Sequence, residues 1–278
     1  MRLRVLAVLG LGVLALSWAA PVFRLTTSPV VAVAAWRMLL GGALFLPWVP
    51  RVRWSKSGLV LGVAAGGVLA LHFFLWLTSL RLTTVASSVA LVTTNPIFVG
   101  LLSWILGEPP SRRLWEGIAL SVTGAMLIGW GDFAIGGQAL VGDALALGGA
   151  LAASTYLLLG RRACQEVNLL PYVGLAYGVA GVLLLIAAAG AGTPLVTGQD
   201  WLWVSILAVG PQALGHTSVN WALRRLPASA VAVAILGEPV GATLWAFLLF
   251  SEGVGIVQSV GILLVFLGIL RAWRAIRL

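Results

Sequence analysis

Polar surface is what this chain lacks. Only 9% of its 278 residues are charged, against about 25% in soluble domains, too few to solvate a soluble fold of that size. Cysteine occurs once, at Cys164, which excludes an intrachain disulfide and any CxxC redox or zinc pair. The two histidines, His72 and His216, stand in separate segments that fit no metal spacing, so no metal and no cofactor is expected. Neither a Walker-type phosphate loop nor a GxSxG elbow occurs. Direct ATP drive is therefore not expected, and the chain is read as not an enzyme. Lysine occurs once, at Lys56. The pI near 11.4 thus comes from arginine, whose placement points to a membrane and away from a nucleic-acid partner.

What is present is apolar. Hydrophobic residues make up 60% of the chain and mean hydropathy is +1.06. A bilayer core about 30 Å thick takes roughly 20 apolar residues per helix, and short polar punctuation divides the chain into runs of that size. The alternating pattern of a membrane β-barrel is absent. The expectation is an all-α, polytopic membrane protein of about ten transmembrane helices. The runs lie near 3–22, 29–48, 57–80, 83–106, 114–130, 139–160, 169–189, 201–223, 228–250 and 253–270. The first resembles a signal peptide, but equally apolar sequence follows it, so it is read as a retained helix.

Cytoplasmic loops of membrane proteins carry the excess of Lys and Arg. With the N-terminus inside, one side collects Arg2, Arg4, Arg51, Arg53, Lys56, Arg112, Arg113, Arg161, Arg162, Arg224, Arg225, Arg271, Arg274 and Arg277, 14 of the 17 positive residues. Arg24 and Arg81 fall on the other side with Asp132, Asp200 and Glu252. Both termini are therefore expected in the cytoplasm, and the protein in a bacterial plasma (inner) membrane.

The chain repeats itself. Residues 71–108 return in altered form as 215–252: His72 and His216 are 144 residues apart, as are Glu108 and Glu252, Gly117 and Gly261, and Gly124 and Gly268. Each copy has a small-residue stretch broken by a proline, Pro96 or Pro239. The expected units are 1–132 and 138–278, joined by a glycine-rich connection at 133–137. Five helices per unit is an odd number, so the second copy enters the membrane upside down. Inverted repeats of this kind are a transporter architecture, with the substrate site near the midplane between the halves.

Several stretches carry a family resemblance: LSWAAPVFR (Leu16 to Arg24), AAWRMLL (Ala34 to Leu40), the small-residue stretch with its proline and then GE at Glu108 or SE at Glu252, and STYLLLGRR (Ser154 to Arg162). Over nearly its whole length the chain resembles the drug/metabolite transporter superfamily with two EamA-type repeats. Trp18 is followed here by Ala19, where many members of that superfamily have glycine. The resemblance implies a ten-helix exporter or exchanger with a central cavity, and the functional group it is most similar to is the YddG-type aromatic amino acid exporters.

Polar stripes in lipid face inward. His72, Trp76 and Ser79 share one helix face, and Gln212, His216 and Asn220 share another. With Asn95 beside Pro96, and with Trp18 and Tyr156 in matching places in the two halves, they form the candidate cavity. The competing reading is interhelical polar glue, about 0.6 kcal/mol per contact. Two charges fall within apolar runs, Arg37 and Glu238. Each costs about 2.5–3.5 kcal/mol to insert even on the lenient scale, so each needs a partner or water. Glu238 is a proton carrier or an ammonium ligand in one reading; in the other it pairs with Arg37 or supports the break at Pro239.

Together these features predict a secondary transporter, an exporter by resemblance, of small organic metabolites such as amino acids, working by alternating access. Its expected partners are a small-molecule substrate and the lipid bilayer, and a monomer is the expected unit. Proton-coupled multidrug or organic cation efflux is the alternative within transport. A lipid-handling or scaffolding membrane protein is the alternative outside it.

Overall fold

In hydrocarbon a backbone N–H or C=O must find its partner within the protein, and a helix supplies one inside each segment. The computed structural model describes residues 2–128, 130, 137–250 and 253–275. Among these no strand occurs. Most of the expected connection at 133–137, and the turns at Asp132 and Glu252, lie outside the described residues.

The first half contains α1 (Arg2–Leu16), α2 (Ala19–Arg24), α3 (Val30–Ala43), α4 (Lys56–Leu82), α5 (Val85–Val92), α6 (Asn95–Ile105) and α7 (Arg112–Ile128). The second contains α8 (Gly137–Glu166), α9 (Leu169–Gly190), α10 (Asp200–Leu207), α11 (Thr217–Leu223), α12 (Ala228–Ile235), α13 (Gly237–Phe250) and α14 (Ile256–Ala275). A π-helical stretch, Ala208–His216, joins α10 to α11.

Ten spans of full length are not what these helices give. Seven stretches of described residues are long and apolar enough to cross a membrane, while α3 has 14 residues and α7 has 17. Proline accounts for several of the interruptions. Its missing N–H and its ring clash both act on the carbonyl four residues earlier, and α3, α5, α10 and α12 end four residues before Pro47, Pro96, Pro211 and Pro239 respectively. The break between α1 and α2, at Ser17 and Trp18, likewise precedes Pro21. At the end of α5 the threonine hydroxyls bond back to its last turn, Thr93 Oγ1 donating to Val89 O at 2.7 Å and Thr94 Oγ1 to Leu91 O at 2.7 Å.

Helices α7 and α14 pack antiparallel along their glycines. A Cβ on Gly117 would stand 2.8 Å from the Gly268 carbonyl oxygen, and one on Gly124 would stand 2.5 Å from that of Gly261. The repeat equates Gly117 with Gly261 and Gly124 with Gly268, so each glycine faces the counterpart of the other. That exchange is the mark of a local two-fold axis between the two helices. Elsewhere α4 lies against α8 and α9, while α1 and α3 lie against the π-helical stretch. The main core runs through these contacts, and a smaller cluster around Leu114, Ile118, Leu236 and Val265 lies between α7, α12 and α14.

Candidate functional site

The proline breaks of α5/α6 and α12/α13 meet at one cavity of about 50 Å³. Val92, Thr93 and Asn95 line it at the first break, and Ile235 and Glu238 at the second. Both α6 and α13 begin there, so two helix N-termini with their partial positive charge flank the space. Glu238 occupies the first turn of α13, where that dipole favours an acid.

Six residues nominated from the sequence line this cavity: His72, Trp76, Asn95, Tyr156, His216 and Glu238. The rest of the wall is mostly apolar, including Leu16, Leu69, Leu157 and Val219. His72 stacks on Trp76 at 5.8 Å between ring centroids with 14° between planes, and its Nδ1 lies 2.9 Å from the Gly149 carbonyl oxygen. That nitrogen, facing a carbonyl oxygen, is an N–H donor. Phe73 meets His216 edge-on at 5.4 Å.

Other nominated residues stand elsewhere. Ser79 is buried, donates to Trp76 O at 2.7 Å and shares a hydrogen bond with Ser88. Asn220 stands behind Tyr156, its Nδ2 within 2.6 Å of the Tyr156 hydroxyl, 2.9 Å of His216 O and 3.3 Å of the Tyr177 hydroxyl. Trp18 packs on Trp245 at 4.3 Å, and Trp245 Nε1 donates to Ser17 Oγ. Of Gln212, His216 and Asn220, expected on one face, only His216 lines this cavity. Gln212 lies instead against α3, where a Cβ on Gly41 would come within 2.8 Å of its Cγ.

Arg37 is fully buried, and its Cζ stands over the Phe73 ring at 4.3 Å from the centroid. No ion pair joins it to Glu238 among the described residues, so the structural pair weighed from the sequence does not form. Two acids near helix ends have partners. Glu116 bonds Arg271 and lies 3.4 Å from Arg112, and Asp143 accepts from Ser87 Oγ at 2.7 Å.

Sequence reasoning passed over Thr93, which lines the cavity. The signal was present in the hydroxyl pair Thr93–Thr94 directly ahead of Asn95 and the break at Pro96. It also passed over Phe73, which gave no sign beyond its adjacency to His72.

Comparison with known proteins gives a consistent result. A family model described as the EamA-like transporter family matches residues 3–130 and 140–273. The chain is 23% identical over 255 residues to the uncharacterized transporter sll1319 of Synechocystis sp., covering 89% of this chain and 74% of that one. It is 25% identical over 254 residues to the uncharacterized transporter YwfM of Bacillus subtilis, with 86% and 83% covered. An uncharacterized transporter of Archaeoglobus fulgidus is 22% identical over 243 residues, with 86% and 84% covered. A crystal structure at 19% identity superposes with a TM-score of 0.82 over 100% of both chains and shows the same fold.

Proposed function

The chain belongs to the EamA-like transporter family, and from that premise we propose a secondary transporter that exports small organic metabolites such as amino acids by alternating access between two inverted five-helix halves. The halves are residues 1–132 and 138–278. The observation that carries this reading is a cavity walled from both halves at their matching proline breaks. A site shared between inverted units can be offered to either side as one half rocks against the other. The local two-fold between α7 and α14 supports the inversion, the loop arginines support cytoplasmic termini in a plasma membrane, and the outward direction rests on the family resemblance. The unit is a monomer in this reading.

Chemically, the cavity offers a stacked His72–Trp76 surface for a flat or apolar group, and hydrogen-bonding groups from Asn95, Tyr156 and His216. The test is counterflow in liposomes with purified protein and labelled neutral amino acids beside an organic cation. Accelerated exchange of the amino acids, reduced by His72→Ala or Trp76→Ala, is the expected result; movement of neither solute class would count against transport of metabolites. A second reading, proton-coupled efflux of organic cations, is favoured by one observation. Glu238 lines the cavity with no basic partner in an ion pair among the described residues.

A further inference from the structure

A buried guanidinium in a membrane protein needs a counter-charge or water, and Arg37 forms no ion pair among the described residues. It is 0% exposed, and none of its three guanidinium nitrogens has a hydrogen-bond partner among the described residues. The described acids are otherwise engaged: Glu108 with Arg161, Glu116 with Arg271, Glu166 with Ser55 and Ser57, Asp143 with Ser87, and Asp200 with Thr27 and Ser28. Only Glu238 remains. It attracts Arg37 electrostatically without forming an ion pair.

A second group shares the condition of Arg37. Gln212 is 0% exposed, and neither its Nε2 nor its Oε1 has a partner among the described residues. It lies against Gly41, one helical turn from Arg37 on α3, and His216, one turn further along its own segment, meets the same Phe73 ring that the guanidinium covers. Phe73 also meets His72 edge-on at 4.8 Å, so the ring under the Arg37 guanidinium backs both histidines of the cavity wall, and Gln212 packs against α3 one turn from Arg37. Gln212 lies within the π-helical stretch, directly after Pro211, and such stretches recur at functional sites.

We propose that Arg37 and Gln212 form a subsite for the carboxylate of the transported solute, reached when the Phe73 ring swings off the guanidinium. A planar guanidinium binds a carboxylate through two parallel N–H···O bonds, and the Gln212 amide supplies a third donor. Glu238 then faces the ammonium of a zwitterion across the cavity. This rests on the transporter reading, and it narrows the solute to one that carries a carboxylate.

The test uses thermal unfolding of the purified full chain at constant ionic strength, titrated separately with benzoate, phenylalanine, phenethylamine and inorganic phosphate, with counterflow of phenylalanine measured in parallel. Benzoate and phenylalanine should raise the wild-type melting temperature, and phenethylamine should not. Arg37→Gln should weaken the carboxylate response at least tenfold, Arg37→Lys should keep part of it, and Gln212→Leu should weaken it severalfold. Should Arg37→Gln fail to fold, Arg37→Lys and Gln212→Leu decide the matter. The subsite is overturned if no carboxylate binds the wild type, if only the amine or only phosphate does, or if the variants that fold respond as the wild type does. Binding that depends on Arg37 without any flux would keep the subsite and remove the transporter reading; flux indifferent to Arg37 would do the reverse.

Discussion

Asp200 accepts a 2.6 Å hydrogen bond from the backbone N–H of Ser28, joining positions 172 residues apart. The same oxygen accepts from Thr27 N at 2.8 Å, so one carboxylate ties the loop before α3 to the start of α10. A related clasp joins the other pair of equivalent segments. There Glu166, ahead of α9, accepts from Ser55 and Ser57 at the start of α4, at 2.8 Å and 2.7 Å.

The Asp200 clasp gives a pH dependence with a definite sign. Asp200 precedes the apolar run that begins at Trp201. Burial alone would raise its pKa, but hydrogen bonds from Ser28 and Thr27 outweigh that and hold the carboxyl below the usual value. A depressed folded-state pKa contributes stability that is fully present above the unfolded value, about 3.9, and is lost as pH falls through the folded one. Asp200→Asn is expected to cost on the order of 1–3 kcal/mol at pH 7. Melting temperatures in detergent from pH 7 to pH 3 should fall more steeply for the wild type than for the variant. Parallel curves would show that the clasp contributes nothing.

The glycine contact between α7 and α14 predicts a sharp difference between two substitutions. Gly124→Val drives a side chain into backbone 2.5 Å away, at Gly261 O. Overpacking of this kind costs about 1–3 kcal/mol or more, and here the opposing atoms are backbone and have no rotamer to change. Gly178→Ala meets nothing within 4 Å and should be neutral, or stabilising by about 0.5–1 kcal/mol through helix propensity. Unfolding measured by intrinsic fluorescence, with monodispersity from size exclusion, distinguishes the two. Equal stability would remove the close approach from the fold.

Tyr156 and Asn220 separate cavity from support. Tyr156→Phe deletes a hydroxyl whose ring lines the cavity and whose oxygen receives Asn220 Nδ2 at 2.6 Å. The loss is about 1 kcal/mol of stability, with a change in solute affinity. Asn220→Leu removes all three contacts of that amide from behind the wall, so it should cost more stability and change affinity only through Tyr156. Melting temperature and counterflow half-saturation, read for both variants, check the split.

Much of this arrangement was legible in one dimension because its causes are local. Proline acts on the carbonyl four residues back, so Pro96 and Pro239 announced the breaks at which Asn95 and Glu238 reach the cavity. The 144-residue offset brought His72 and His216 into correspondence before any coordinates. The full-length helix expected at 29–48 did not follow, because Pro47 obeys the same rule and was not given the same weight; the run at 201–223 stays helical but changes to π-helical winding around Pro211. The π-helical stretch that holds Gln212 was not legible, since nothing in the residue types announces the change in angle per residue. The clasps were invisible, since Asp200 and Ser28 are ordinary loop residues until the fold brings them together.

Glu238 carries the choice between the two transport readings. Its carboxylate lines the cavity at the first turn of α13, directly before the proline that interrupts the helix. Glutamine keeps the shape and the hydrogen-bonding capacity and removes only the charge and the exchangeable proton. If the carboxylate couples transport to protons, Glu238→Gln should keep solute exchange at equal pH and lose accumulation driven by an imposed pH gradient, by tenfold or more. Fluorescence of a trapped pH dye should then show no proton movement on addition of solute. If exchange itself falls tenfold while the folded fraction is unchanged, Glu238 is a ligand for the ammonium of the solute. Unaltered exchange together with unaltered accumulation would return Glu238 to a structural part, holding the start of α13 where Pro239 leaves the helix open.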